Sequence, residues 1–405
     1  MARGVLKFLA ATQATEVESR SDSEPGKILH EAREGEMARI SEVPFRRYYG
    51  SVDATPLFLV LAAAYFERSG DLELMRSIWP NIQMALDWID KFGDRDGDGF
   101  VEYRRVSSDG LVQQGWKDSH DSVFHADGRL AAGPIALCEV QAYVYFAKRG
   151  IRAVATALGH GEQGQKLERE AEELRRRFHE AFWCEKISMY ALALDKEKRQ
   201  CQVRSSNAGQ CLFSGIANTE QVQRIAESLL SDESFSGWGI RTIASSEVRY
   251  NPMSYHNGSV WPHDNALIAY GLLENEEKDL PCNILTGFFD ASKFFELHRL
   301  PELFCGFPRG PGTGPTLYPV ACAPQAWAAG AMFLMLQSCL GMSIRAAHST
   351  IYFAFPRLPE SIQNITIRNL CVGRNSVDLD LVRNSHSVSV NVLRRTGSLN
   401  VSTIN

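Results

Sequence analysis

Residues 161–182 read GEQGQKLEREAEELRRRFHEAF, and this stretch decides the fold class of the chain. Apolar side chains recur every three or four residues, which is the spacing of one helix face. The members of that face are Leu167, Ala171, Leu174, Phe178 and Ala181. Glutamate and arginine fill the other face, so the charged run is a solvated surface. The pattern predicts an amphipathic helix over the whole stretch.

The same periodicity extends outward from this helix in both directions along the chain. Helices are predicted over 51–69, 71–93, 132–148, 219–230, 259–274, 279–297 and 323–341. Long polar loops lie between them, at 94–131, 184–210, 231–258 and 299–322. Loops of this length inside a compact chain are commonly functional, so the chemistry is expected there.

The pattern changes from helical spacing to strict alternation after about residue 349. The segments IYFAFP, NITIRNL, SVDLDLV, SVSVNVL and LNVSTI alternate apolar and polar residues, as half-buried strands do. The sequence therefore predicts a mainly α chain. A helical domain over 1–348 is followed by a small C-terminal antiparallel β domain over 349–405, shaped like a sandwich.

Composition excludes several classes of function. The net charge is −5, and no basic excess suggests a nucleic-acid partner. No apolar run approaches the ~18 residues of a membrane span. The nine cysteines are scattered and form no CxxC pair, which is typical of a reducing compartment. The N-terminus has too short an apolar core for a signal peptide, so we expect a cytoplasmic protein. Neither phosphate-binding glycine loops nor a GxSxG elbow occur.

Two loops carry carboxylates in settings that suit acid–base chemistry. The segment QGWKDSHDS, 114–122, places Asp118 and Asp121 beside a tryptophan and a lysine, so either could be a general acid. The alternative is an aspartate that caps a turn. The segment HRLPELFCGFPR, 298–309, places Glu302 among apolar neighbours, which suits a general base. Its alternative is a salt bridge to Arg299 or Arg309.

Other loop segments contain polar residues that are candidates for substrate binding. In YHNGSVWPHDNALIAYGL, 255–272, two histidines and Asp264 match no zinc spacing, so a polar, tryptophan-lined substrate wall is the better interpretation. Asp53 stands at a helix entrance, where it either meets substrate or caps the helix. Arg241 lies in the loop segment GWGIRTIA, 237–244.

The segment DRDGDGFVEY, 94–103, partly matches a calcium loop. Asp94, Asp96 and Asp98 take positions 1, 3 and 5, and Gly99 takes position 6. Position 12, normally a glutamate, is Arg105, and Glu102 at position 9 could substitute. A turn that binds nothing is the alternative. No other cofactor is predicted.

Five segments in order resemble a known family. They are PGKILHEAR (25–33), YYGSVDATPLF (48–58), QGWKDSHDSVFHADG (114–128), NPMSYHNGSVWPHDNALIAYGL (251–272) and RLPELFCGF (299–307). Together they resemble bacterial amylo-α-1,6-glucosidases, the glycogen-debranching-type glycoside hydrolases of the six-hairpin superfamily. The resemblance implies an (α/α)6 barrel. Relatives are longer, and about ten helical segments stand where twelve are needed, so we expect a truncated barrel with an incomplete first hairpin.

The resemblance also implies an inverting mechanism with two carboxyl groups. The acid falls on Asp118, with Asp121 as its rival, and the base falls on Glu302. Debranching relatives often carry the base in a GPEW-like motif, but here the corresponding stretch GSVW has Val260 and no carboxylate. The residues expected to line the sugar pocket are Asp53, Trp116, Lys117, Asp121, Arg241, His256, Trp261 and His263.

The sequence therefore predicts a glycosidase that cleaves an α-glucosidic bond, acting on a carbohydrate without nucleic-acid or membrane partners. Two alternatives stay open. One is a non-catalytic α-glucan-binding remnant of a debranching enzyme. The other is a hydrolase of a small α-glycoside, such as a trehalose-like sugar or glucosyl- or mannosylglycerate. The sequence leaves the oligomeric state and the linkage undetermined.

Overall fold

The computed structural model describes residues 1–404 apart from 274, 277 and 386. The chain forms two compact units, one of residues 1–66 and 71–203, the other of residues 67–70 and 204–405. The described part contains eleven α-helices and a small β region, which confirms the mainly α prediction. The boundary expected at 348/349 stays a prediction. Among the described residues no helix has the length and apolarity to cross a membrane.

Helices dominate the first unit. They are α1 (Ala2–Ala11), α2 (Glu36–Arg39), α3 (Ala54–Ser69), α4 (Leu72–Trp88), α5 (Cys138–Ala157) and α6 (Gly161–Phe182). Helix α6 matches the predicted stretch, and its apolar face packs along α5. Four two-residue strands form two antiparallel pairs, β1 (Ala136–Leu137) with β4 (Ala193–Leu194), and β2 (Trp183–Cys184) with β3 (Met189–Tyr190).

The second unit contains the other five helices. They are α7 (Ser206–Ser214), α8 (Thr219–Leu230), α9 (Pro262–Tyr270), α10 (Asp279–Ser292) and α11 (Ala326–Leu340). Helix α9 is central to this unit, because it packs against α7, α10 and α11. Helix α8 begins with a capping box in which Asn218 and Gln221 satisfy each other's backbone amides, and it matches the prediction for 219–230.

The β region of the second unit consists of two three-stranded sheets. One contains β5 (Met342–Arg345), β6 (Thr350–Ala354) and β10 (Asn400–Ile404), and the other contains β7 (Asn364–Val372), β8 (Asn375–Arg383) and β9 (Val388–Thr396). The pairs β5–β6, β7–β8 and β8–β9 are antiparallel, as predicted for this region, whereas β10 pairs with β6 in parallel. A buried apolar cluster that includes Ile351, Phe353, Leu379 and Leu381 lies in this region.

Several helices differ from the prediction, and two of the differences have clear local reasons. Helix α5 begins at Cys138 rather than near residue 132, because Pro134 and the pairing of β1 occupy the preceding residues. Helix α7 lies partly inside a segment predicted to be a loop. It has no amphipathic pattern, since eight of its nine residues are buried.

Candidate functional site

The loop that carries Asp118 is anchored by one buried carboxylate in the first unit. Asp22 Oδ1 accepts hydrogen bonds from the amides of Val106 and Ser107, both at 2.9 Å. Its other oxygen accepts from the Tyr48 hydroxyl at 2.9 Å and from Gln114 Nε2 at 3.2 Å. One side chain therefore ties three chain segments together and fixes the stretch that precedes Asp118.

The Asp118 loop is also joined to the entrance of α3. The amide of Val52 donates to the carbonyl of Gln114 at 2.7 Å, next to Asp53 at the start of the helix. The Ser51 hydroxyl donates to Asp53 Oδ1 at 2.6 Å, and the Ala54 amide donates to that hydroxyl at 3.1 Å. Ser51 therefore links the first turn of the helix to the buried Asp53 carboxylate, which lies beside the loop.

Asp118 and Asp53 influence each other electrostatically. Burial raises the pKa of Asp118, and the neighbouring Asp53 and Glu31 carboxylates add to the rise, whereas His30 opposes it. Burial likewise raises the pKa of Asp53, against the Ser51 hydrogen bond and the charge of His30. A carboxyl group with a raised pKa holds its proton to higher pH, which is what a general acid needs.

The three other residues predicted near Asp118 also lie in this loop. Lys117 is buried, with its Nζ atom 5.1 Å from the centroid of the Trp116 ring. The Ser122 hydroxyl donates to the Lys117 carbonyl at 2.5 Å and holds the backbone of the loop in a tight turn. Trp116 and Asp121 are partly buried. Their contribution to sugar binding stays a prediction.

Sequence reasoning missed two groups of the first unit. His30 acts electrostatically on both Asp53 and Asp118, although it is distant from them in sequence. In the sequence, His30 is marked only by its position in the segment PGKILHEAR, which is one of the five segments that carry the family resemblance. Glu139, near the start of α5, is completely buried, and a Cβ atom placed on Gly115 would lie 3.8 Å from its Oε1 atom. It therefore lies directly behind the loop that carries Asp118.

Glu302 in the second unit is held by hydrogen bonds to both of its carboxylate oxygens. The Tyr255 hydroxyl donates to Oε1 at 2.7 Å, and the Cys322 amide donates to Oε2 at 3.0 Å. The Glu302 amide also donates to the Cys322 carbonyl at 2.8 Å. Among the described residues neither Arg299 nor Arg309 pairs with Glu302, and Arg309 instead binds Asp290. The carboxylate is therefore buried and oriented by neutral donors.

An aromatic cluster adjoins Glu302 in the same unit. Trp261 is only 2% exposed, stacks on His256 with ring centroids 5.0 Å apart, and contacts Tyr255 edge-on. His263 stacks on Trp327 at 3.9 Å, and desolvation lowers the pKa of His263 to about 3, so this imidazole is neutral near pH 7. Trp327, which the sequence analysis did not single out, is 43% exposed and carries the accessible aromatic surface.

Arg241 is buried and donates to main-chain carbonyls. Its Nε atom donates to Gly306 at 2.7 Å, and one terminal nitrogen donates to Asp232 at 3.0 Å and to Glu233 at 3.2 Å. These bonds brace the end of the loop that carries Glu302. Whether Arg241 also binds sugar stays a prediction.

The Glu302 loop packs against the 255–272 segment through two glycines. A Cβ atom on Gly306 would lie 1.6 Å from the carbonyl oxygen of Gly258, which no side chain can tolerate. Gly258 itself has a φ of 142°, and its added Cβ would meet the carbonyl of Asn251 at 2.6 Å. This close backbone approach fixes the spacing between the Glu302 and Tyr255 segments.

The aspartate-rich loop brings its three carboxylates together around a lysine. One side-chain oxygen from each of Asp94, Asp96 and Asp98 lies within 4.8 Å of the others. The Lys198 ammonium lies 2.9 Å from Asp96 and 2.5 Å from Asp98, and it also contacts Glu102. Lys198 thus already pairs with two of the three aspartates that the calcium prediction invoked and competes with a metal ion for their oxygens, and calcium binding itself stays a prediction.

Comparison with known families identifies the class of the protein. A glycoside hydrolase family model matches residues 50–298, which is more than half of the chain and includes Asp53 and Asp118. The chain therefore carries a glycoside hydrolase domain over these residues. It belongs to the family described as mannosylglycerate hydrolase MGH1-like glycoside hydrolase domain. The match does not specifically support an amylo-α-1,6-glucosidase, and no curated protein matches the chain.

Solved structures show the same fold at low identity. A GH78 rhamnosidase of Bacillus sp. GL1 shares 14% identity at a TM-score of 0.61, over 89% of this chain and 34% of its own. A sialidase shares 11% at a TM-score of 0.59, over 82% and 31%. The chain thus spans about a third of these two proteins. The GH63 mannosylglycerate hydrolase from Thermus thermophilus, in complex with Tris and D-glycerate, shares 14% at a TM-score of 0.57, over 82% and 87%.

Proposed function

We propose that this protein hydrolyses a small α-glycoside of the mannosylglycerate or glucosylglycerate type, with inversion at the anomeric carbon. The observation that carries the proposal is the family match over residues 50–298. The likeness to a glycerate-bound mannosylglycerate hydrolase supports the same substrate class. We also infer that the helices belong to an (α/α)6 barrel, which the likeness to other glycosidases supports.

In this proposal Asp118 is the general acid. An acid must be protonated when it meets the glycosidic oxygen and must then release its proton to the departing group. Burial and the nearby Asp53 and Glu31 charges raise the pKa of Asp118, which favours that protonated form. This environment is the reason for preferring Asp118 over its rival Asp121.

Glu302 is the proposed general base. Inversion needs a carboxylate that takes a proton from the attacking water, on the face opposite the leaving group. Hydrogen bonds from Tyr255 and from the Cys322 amide orient both oxygens of Glu302, and no cation neutralises it within the described residues. Each carboxylate oxygen has more than one lone pair, so a water can bind in addition to these donors.

A substrate panel tests the activity and its class. The purified protein is incubated with mannosylglycerate, glucosylglycerate, trehalose, isomaltose, panose and limit dextrin, and the first-formed anomer is followed by NMR. Release of a β-configured sugar from either glycerate glycoside supports the proposal. Faster turnover of isomaltose, panose or limit dextrin would instead indicate that the substrate is an α-glucan. Binding of maltodextrin without any turnover would favour the non-catalytic remnant.

The two carboxylates are distinguished by the leaving group. Fluoride departs with little help from an acid, whereas the attack of water still needs the base. Asp118→Asn should therefore abolish hydrolysis of the natural glycoside but retain much of the activity on the matching α-glycosyl fluoride. Glu302→Gln should lose both activities. Asp121→Asn is the matched control, and if it showed the Asp118 pattern instead, the acid would be Asp121.

A further inference from the structure

The hydrogen bond between Tyr255 and Glu302 assigns a role to a residue that neither the sequence motif nor the family match identifies. Tyr255 lies in the 255–272 segment, and Glu302 lies 47 positions further along the chain. Their contact is a 2.7 Å bond from a phenol to a carboxylate oxygen. Bonds of a neutral donor to a charged acceptor are stronger than bonds between neutral groups.

The backbone and the ring of Tyr255 are both fixed from several sides. Its carbonyl accepts from the Ser259 hydroxyl at 2.6 Å and from the Trp261 indole at 3.0 Å. Its ring contacts His256 at 4.5 Å, Trp261 at 4.9 Å and Tyr318 at 5.5 Å between centroids. A phenol held in this way has little freedom to leave Glu302, so its position is set before any substrate arrives.

The geometry points to Tyr255 as the positioning residue of the general base. It holds one oxygen of Glu302, while the Cys322 amide holds the other, so that the carboxylate keeps a single orientation toward the attacking water. The inference rests on the proposed role of Glu302. It adds that the orientation comes from a side chain on a different segment, which a substitution can remove without touching the carboxylate.

The role predicts a specific kinetic signature for Tyr255→Phe. The variant keeps the packed ring and loses only the hydroxyl. We expect kcat to fall about ten- to a hundredfold with KM nearly unchanged, because a hydrogen bond to a charged group contributes about 1.5–3 kcal/mol. The loss should be equally large on the α-glycosyl fluoride, since the affected step is water attack.

Tyr318→Phe is the matched control. It removes the hydroxyl of the ring that packs on Tyr255 and leaves the bond to Glu302 in place, so its kcat should match that of the unmodified protein on both the glycoside and the fluoride. If Glu302→Gln is inactive while Tyr255→Phe keeps full kcat on both substrates, the role of Tyr255 is overturned and that of Glu302 stands. If Glu302→Gln remains fully active, the base assignment fails, and the role of Tyr255 fails with it.

Discussion

Replacing Lys198 with methionine tests whether the lysine is the cation of the aspartate-rich loop. The Lys198 side chain is 30% exposed, and that of its partner Glu102 is only 2% exposed. Burial lowers the pKa of Lys198, but hydrogen bonds to Asp98, Glu102 and Asp96 outweigh it and raise the pKa overall. Methionine keeps the aliphatic stem and removes the charge, so Glu102 would remain buried without this cation.

The expected loss of stability follows from these exposures. Breaking a fully buried ion pair costs about 3–5 kcal/mol, and the partial exposure of Lys198 reduces its share to about 2 kcal/mol. The more exposed contacts with Asp96 and Asp98 add about 0.5 kcal/mol each. A total near 3 kcal/mol lowers the Tm of a unit of this size by about 6–12 °C.

Thermal and urea unfolding, followed by circular dichroism, measure this loss. Lys196→Met is the matched control, because Lys196 pairs with the exposed Glu197 at 3.4 Å and its removal should cost less than about 0.5 kcal/mol. Adding Glu102→Gln to Lys198→Met should restore part of the stability, since no charge is then left buried. A Tm of Lys198→Met within about 2 °C of the Lys196→Met value would refute the reasoning, since about 2 °C is near the smallest shift that about 1 kcal/mol produces.

Three further outcomes are expected. The Tm of the unmodified protein should be equal in EDTA and in CaCl2, because Lys198 occupies the oxygens of Asp96 and Asp98. Lys198→Met should gain a calcium-dependent rise, because these two aspartates then lack their cation, and an equal response of both proteins would contradict this. Asp53→Asn should lower the pKa of Asp118, because it removes a neighbouring negative charge. The acid then loses its proton at lower pH, so the basic limb of the kcat/KM profile should move to lower pH. An unmoved limb would show that the two carboxylates do not interact. Between about pH 7.5 and 4.5 the free energy of unfolding should fall by about 2–3 kcal/mol more in the unmodified protein than in His263→Phe, because the unfolded chain protonates this histidine below about pH 6.5 but the folded chain only near pH 3. Identical losses in urea titrations would contradict the last prediction.

The sequence predicts helices best where one face is charged. Helices α6 and α8 match their predicted bounds because polar residues mark the solvent side and, in α8, Asn218 marks the start. Helix α7 could not be found this way, since burial on nearly all sides removes the periodic contrast. Alternation of apolar and polar residues is the same in parallel and antiparallel strands, so the sequence could not predict that β10 pairs with β6 in parallel.

For the candidate site, too, the sequence predicts what depends on neighbouring residues and misses contacts between segments that are far apart in the chain. The sequence could select Asp118 and Glu302, because their local segments combine carboxylates with unusual neighbours. It could not show that His30 acts on Asp118, or that Tyr255 bonds to Glu302, since both relations join distant segments. It also could not show that Arg241 donates to three carbonyls, because a buried arginine and a ligand-binding one look alike in sequence.

The contact between Gly258 and Gly306 has a consequence for how this protein can diversify. Any side chain at Gly306 would collide with the Gly258 carbonyl, and any side chain at Gly258 would collide with the Asn251 carbonyl. A single substitution at either glycine should therefore disrupt this contact. Random mutagenesis should therefore return almost no functional variants at these two positions. Tolerated changes should instead concentrate on partly exposed positions nearby, such as Tyr318 and Trp327.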